Sequence, residues 1–403
     1  IYEAFALKGV APIMTVNVLD PAKHSTVVAD EAVTLDQGVG TLAFAGALRS
    51  TVVVTGAVLG TDYDLTWTDA GLVQINAIEG GSLATDVVVS YSYLDPSKVT
   101  EADIIGGIDA NTGKNKGLEL INEAYSRFGL VPGQILAPGF SGLSSVASVM
   151  SSKARNINTV FKCISLHDIP TETVTKYTDV SAYKNSNNIT EASQVALWPK
   201  ASLGGVQYHA SVKWMSTTMQ TDADNGGIPY VSPSNKSAEM DSAVLADGSE
   251  VSLTIDNTEY LNGQGVCTFL NFSGGWKTRG NNTAIYPSST DVKDRFICVR
   301  RMFDWIGNTS ILTDWVRLDA PINFRLIDMI QDSNTIWLNS LAAEGALVGS
   351  QNRVVVNAGE NSVINLLNGK ITYHWYITPP TPAEEIHHIL EFDVNNLTEL
   401  FGG

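Results

Sequence analysis

The sequence predicts a multidomain chain of mixed α/β and α+β class: an α/β core, an all-β module inserted into it, and a C-terminal α+β domain that ends in a strand arm. Three observations carry this reading. The 403 residues are more than one ordinary hydrophobic core organises. Short β-rich runs without helical periodicity fill positions 24 to 94, and strand–helix alternation flanks them on both sides. A proline-rich break, Thr378-Pro-Pro-Thr-Pro382, separates the last apolar run from everything before it.

The first apolar run, Ile13-Met-Thr-Val-Asn-Val-Leu19, is closed by Asp20-Pro21 and reads as a buried strand of a parallel sheet. Four runs then mark the β module: Thr41-Leu-Ala-Phe44, Thr51-Val-Val-Val-Thr55, Leu72-Val-Gln-Ile-Asn76 and Val87-Val-Val-Ser-Tyr-Ser-Tyr93. Turn clusters such as Gly60-Thr-Asp62 and Glu79-Gly-Gly-Ser82 separate them. After Asp95-Pro96, Leu118, Ile121, Tyr125 and Phe128 fall at helical spacing, Glu123 lies four before Arg127, and Gly129 suits the position just past a helix end. A strand at Gln134-Ile-Leu-Ala137, a helix near 144–154 and a strand at Val160-Phe-Lys-Cys-Ile-Ser165 make a βαβ unit. Another helix near 208–220 runs into Thr221-Asp-Ala-Asp-Asn-Gly-Gly-Ile-Pro229, a loop dense in stop signals.

In the last third Phe296, Val299, Phe303 and Ile306 form a helical stripe, and a longer helix is expected over 323–346. Strands follow at Arg353-Val-Val-Val356 and over 371–377, where Ile371, Tyr373, Trp375 and Ile377 share one face. The run Leu390-Glu-Phe-Asp-Val394 alternates again, with Leu390, Phe392 and Val394 on one side. A stiff proline spacer holds it off. This strand either pairs with another chain or folds back onto its own sheet; spacing leaves both open. The expected domains are 1–23 with 95–255 (α/β), 24–94 (outward β module) and 256–403 (inner α+β), the arm occupying about 383–403.

Composition narrows function. Apolar residues make up 44% and charged residues 17%, the balance of a packed protein. A net charge of −17 argues against nucleic-acid binding and against docking on an anionic membrane. No apolar run approaches the ~20 residues of a membrane span. Cys163, Cys267 and Cys298 lie in apolar runs without metal-ligand spacing and read as buried, inert thiols of a reduced compartment. No signal peptide is visible, and the chain opens on Ile1 in what reads as a strand approach, so a fragment lacking its N-terminal segment is expected.

Enzyme motifs fail one by one. Gly107-Ile-Asp-Ala-Asn-Thr-Gly113-Lys114-Asn115 is one residue too long for a phosphate loop, and Asn115 stands where a magnesium-binding hydroxyl belongs; a turn is expected. Gly263-Gln-Gly265 lacks the third glycine of a dinucleotide fingerprint. The adjacent pair His387-His388 would point to opposite faces of a strand. Asp222-Ala-Asp224-Asn225-Gly226 faintly follows a calcium loop, but Pro233 holds the position of the bidentate glutamate. No catalytic, cofactor or metal site is assigned. The basic concentration Lys293, Arg295, Arg300 and Arg301 has two readings: a solvated helix face with intrachain ion pairs, or a patch that meets an acidic partner surface.

Longer motifs in a fixed order carry a family resemblance. Leu261-Asn-Gly-Gln-Gly265, Asn271-Phe-Ser-Gly-Gly-Trp276, Gly280-Asn-Asn-Thr283, Asp294-Arg-Phe-Ile297 and Arg300-Arg-Met-Phe-Asp-Trp305 resemble the signature region of contractile phage tail sheath proteins. Upstream, Val18-Leu-Asp-Pro-Ala-Lys23 and Gly106-Gly-Ile-Asp109 resemble the Gram-positive prophage branch of that family, which is related to R-type pyocin and type VI secretion sheaths. The resemblance implies a structural subunit, not an enzyme, of hexameric rings stacked helically around a tail tube. Its partners would be other sheath subunits, the tube protein, the baseplate and the tail terminator. It would be assembled in the host cytoplasm and act in the virion, contracting to drive the tube through the host envelope. Terminal arms would lend strands to neighbours, placing Leu390, Phe392 and Val394 in an intersubunit strand and Lys293, Arg295, Arg300 and Arg301 on a tube-facing or intersubunit surface. With its N-terminal arm absent, the chain is expected to be monomeric. The alternative is a secreted or surface carbohydrate-binding structural protein, prompted by the β module and the acidity.

Overall fold

A computed structural model describes residues 1–401, and the chain divides into two compact units, Met14–Leu120 and Ile1–Ile13 with Ile121–Gly403.

Period-two alternation builds the smaller unit. Its strands are β1 (Ser25–Thr34), β2 (Val39–Thr41), β3 (Val53–Val54), β4 (Tyr63–Trp67), β5 (Val73–Ala77) and β6 (Asp86–Leu94). They form two antiparallel sheets, ordered β1-β6-β3 and β2-β5-β4. Val87, Val89 and Tyr91 of one sheet and Leu65, Val73 and Ile75 of the other share a single buried core. The unit continues past the expected boundary at 94. Helix α1 (Glu101–Ile105) and the short hairpin β7 (Gly107–Ile108) with β8 (Asn115–Lys116) belong to it. Polar ties fix this extension: Thr26 Oγ1 donates to Asp95 Oδ2 at 2.7 Å, and His24 Nε2 lies 3.3 Å from Asp103 Oδ2.

The larger unit opens with a π-helical turn at Glu3–Leu7 and resumes at α2 (Ala124–Phe128), preceded by a 3-10 stretch at Gly117–Glu123 rather than by further α-helix; Gly129 ends α2 at φ 67°. Then come β9 (Gln134–Leu136), α3 (Ser144–Arg155), β10 (Ile164–Asp168), α4 (Val180–Ser186), β11 (Gln194–Leu197), β12 (Lys200–Leu203), β13 (Val206–Tyr208), α5 (Ala210–Asp224), β14 (Ser242–Val244), α6 (Ile255–Gly263), β15 (Val266–Asn271) and β16 (Trp276–Arg279). The main sheet is ordered β16-β15-β11-β10-β9, with β9, β10, β11 and β15 parallel and β16 antiparallel at one edge. Strands β10 and β11 are buried at every position, because both faces of a parallel sheet are covered. Val195 and Leu197 pack with Trp214 of α5; Ala196 and Trp198 pack on the opposite side with Ala147 of α3 and Leu261 of α6.

A helical corner completes this unit: α7 (Val292–Arg295), α8 (Ile297–Asp314), α9 (Phe324–Ala343), β17 (Arg353–Val355), α10 (Val363–Leu367) and β18 (His374–Tyr376). Met302 and Ile306 of α8, Leu338 and Leu341 of α9 and Val354 of β17 form its core. Trp305, Trp337 and Trp375 bridge α8, α9 and β18, with ring centroids 5.6 and 6.5 Å apart.

Two expectations are corrected. The run at 13–19 forms no strand; it pairs with no neighbour and lies where the chain passes between the units. The expected boundary at 255 cuts through one sheet, since β15 pairs in parallel with β11. Of the two readings left open for 390–394, folding back onto its own sheet is not seen: among the described residues no strand pairs with the segment, and a 3-10 stretch begins at Val394.

Candidate intersubunit surface

The signature residues converge on one loop system between α6, β15, β16 and α8. Two glycines are required there by close approach. A Cβ on Gly265, at φ +69°, would lie 2.5 Å from the Tyr286 carbonyl oxygen, and one on Gly280 would lie 2.8 Å from Cys267 Sγ. Buried Lys184 pins the same loop, its Nζ donating to Ala284 O at 2.7 Å and to Tyr286 O at 3.2 Å. Burial pulls its pKa down to about 8. Asn262, Asn281 and Asn282 interlock: Asn282 Nδ2 donates to Asn262 O at 2.9 Å, and the Asn281 amide donates to Asn262 Oδ1 at 3.1 Å.

The basic concentration is largely consumed within the chain. Arg301, only 8% exposed at its side chain, makes a two-pronged pair with Asp222, one contact at 3.0 Å. Arg300 bonds Asp294 at 3.2 Å and both oxygens of Asp304. Burial pushes the Asp304 carboxyl above its ordinary value, and Arg300 is the chief opposing influence. Arg295 donates to Asn282 Oδ1 at 2.8 Å and to Glu384 Oε2 at 2.6 Å, with its guanidinium over the rings of Tyr286 and Phe296. Lys293 is exposed. Of the two readings left open for these four residues, the intrachain one describes Arg295, Arg300 and Arg301. They are half-buried or buried, however, rather than a solvated face.

The arm shows the opposite pattern. Pro379 is buried and Glu384 is half-buried, but every residue from 385 to 397 is exposed. Ile386 is 74% exposed, Leu390 94% and Phe392 78%, and Ile389, Val394 and Leu397 are exposed with them. Such a row of bare apolar side chains marks an association surface. The two-stranded sheet β17–β18 offers a matching edge. Val354 N–H turns outward to Thr335 Oγ1 of α9 at 3.1 Å, so the outer side of β17 is covered. By antiparallel alternation the 353–376 and 355–374 pairs carry the ladder, and the Trp375 N–H and C=O face the outer edge of β18. Among the described residues no strand pairs with that edge.

Other motif positions have structural roles. Asp109 accepts from the Asn111 and Thr112 amides at 3.0 and 2.8 Å, so 107–115 is the turn of the β7–β8 hairpin rather than a phosphate cradle. Asp222 of the calcium-like run is committed to Arg301. All three cysteines are buried, and burial raises the pKa of each, that of Cys298 to about 11. The crevice at the carboxyl ends of β10 and β11, where α/β enzymes bind ligands, is a cavity of about 100 Å³. Its buried Asp168 is engaged by the Ser211 amide and hydroxyl at 2.7 and 2.6 Å, as a cap on α5. Sequence reasoning overlooked one exposed apolar surface: Trp315, Val316, Leu318 and Phe324 in and around the α8–α9 connection. Their position outside the α8 stripe was the available signal.

No protein-family model matches the chain. Two curated proteins are similar along most of its length. The tail sheath protein of Burkholderia phage BcepMu is 25% identical, over 98% of this chain and 84% of that protein. A putative prophage major tail sheath protein of Pseudomonas aeruginosa (strain UCBPP-PA14) is 24% identical, over 80% of this chain and 81% of its own length. The fold is shared with two sheaths solved in the contracted state. The PVC sheath of an extracellular contractile injection system superposes with a TM-score of 0.55 at 18% identity, over 70% of this chain and 77% of that one. The helical sheath of the anti-feeding prophage gives 0.52 at 20%, over 71% and 75%. Fold and sequence together define a structural, non-enzymatic subunit of a contractile assembly. The chain is a contractile tail sheath protein, a component of a phage tail. The two relatives do not place it in a Gram-positive branch, and the carbohydrate-binding alternative finds no support among these proteins.

Proposed function

We propose that the chain, rather than staying monomeric as its sequence suggested, polymerises through its C-terminal arm, which adds as a strand to the open β18 edge of a second copy. One observation carries this reading: the apolar residues of 386–397 are all bare in the isolated chain. Leu390, Phe392 and Val394 share one face of the extended segment and would enter the neighbour's corner beside Trp375. Full burial is worth about 1.5–3 kcal/mol for each such side chain. A two-stranded sheet is itself marginal and gains from a third strand. Copies linked in this way form the sheath polymer around a tail tube, bounded by a baseplate and a terminator. Contraction then exchanges one set of intersubunit contacts for another while the arms keep neighbours tethered. Assembly would take place in the host cytoplasm before the tail enters the virion. Lys293 and the apolar α8–α9 connection are the remaining candidates for contact with the tube or a neighbour.

The test is the double variant Leu390→Asp with Phe392→Asp, co-expressed with the tube protein and viewed by electron microscopy. The expected outcome is loss of sheath with the thermal midpoint of the monomer unchanged. Sheaths of normal length from that variant would refute the arm reading.

A further inference from the structure

The interlocked asparagines of the signature region have a common neighbour that the polymer reading does not use. Glu384 Oε2 receives Arg295 Nη2 at 2.6 Å, while Glu384 Oε1 lies 3.4 Å from Asn281 Nδ2 and 3.5 Å from Asn262 Nδ2. Arg295 is itself aimed by Asn282 Oδ1 and seated between two rings, so its charge is preset toward one spot. The pair is about three-quarters buried on both sides. Immediately after it, at Glu385, the chain becomes exposed and stays so to Leu397.

We propose that Asn262, Asn281 and Arg295 form a carboxylate receptor on the body of the subunit, and that Glu384 occupies it as a latch that sets where the arm departs. The signature motifs thereby acquire a ligand from the same chain. Glu384 is a positioning residue: it touches no partner, but it fixes the origin from which Leu390, Phe392 and Val394 reach a neighbour. Upstream of it, burial is next complete at Pro379. Releasing the latch frees residues 381–384, and four residues of extended proline-rich chain add about 12 Å of reach. That reserve lets neighbouring subunits separate or rotate while the arm stays seated. The proposal rests on the arm reading for its purpose, but not for its geometry.

The experiment uses the isolated chain, so it is independent of assembly. Spin labels at Ser288→Cys and Glu391→Cys report the distance from body to arm. In Glu384→Gln, which keeps the shape and removes the charge, the distance distribution broadens toward longer values by up to about 12 Å. Glu385→Gln leaves the distribution at the parental one. High salt loosens the parental latch and leaves Glu384→Gln unmoved. Identical distance distributions in Glu384→Gln and the parent would overturn the latch, whatever the arm does in assembly. Normal sheaths from the arm variant above, with the latch readouts as expected, would sink the arm reading alone.

Discussion

The start of α8 and the arm make an instructive pair. Both stand out in the sequence, one as a basic cluster in an acidic chain and the other as an apolar run beyond a proline break. In the fold they trade places. The arginines turn inward and find Asp222, Asp294, Asp304 and Glu384, whereas the apolar side chains of 386–397 stay exposed. Charge is easily satisfied by a nearby carboxylate, and this chain has 42 acidic residues to supply one. Exposed apolar area has no such local remedy. On the proposed reading, the side chains left without a partner, rather than those that carry charge, mark where this protein meets its neighbours.

The contrast can be broken most directly at Arg301. Arg301→Ala strands Asp222 in a largely buried position and is expected to cost about 3–5 kcal/mol in urea unfolding. The joint change Arg301→Met with Asp222→Leu should recover most of that loss. A cost below about 1 kcal/mol for the single change would mean that the pair is a surface contact. Lys184 sharpens the same point, as a cation whose hydrogen-bond partners are two carbonyls. Its folded pKa of about 8 lies below the ordinary 10.5, so between those values the unfolded chain holds the extra proton and stability contributed by Lys184 rises with pH. The unfolding free energy of the parent minus that of Lys184→Met should grow across pH 8 to 10.5; a flat difference would remove the buried cation from the account. The smallest effect belongs to Lys293, the exposed member of the cluster. Lys293→Glu should change stability by no more than about 0.5 kcal/mol. Loss of sheath assembly in that variant would return this one residue to the contact surface.

Much of the architecture was legible because it rests on periodicity. The alternating run of β6, the βαβ unit of β9, α3 and β10, and the stripes of α8 and α9 all follow from which positions must face a core. What failed depended on partners distant in sequence. The 13–19 run is as apolar as a strand, but no neighbour in space offers it a ladder. The boundary at 255 fails because sequence does not reveal that β15 returns to lie beside β11. The site was legible in outline only. Arg295, Arg300 and Arg301 were found by charge, yet the aspartates and Glu384 that claim them lie up to 89 residues away. The signature asparagines were recognised as a motif, and their shared hydrogen bonds appear only once α6, β16 and α8 are brought together.

The burial of all three thiols has a practical side. Cys163, Cys267 and Cys298 are sequestered, and their raised pKa values keep them protonated and unreactive at neutral pH. A cysteine placed anywhere on the surface is then the only one available to a maleimide, a spin label or an oxidant. The arm can be tagged, tracked or cross-linked in the otherwise native chain, without first removing the cysteines that nature placed in the core.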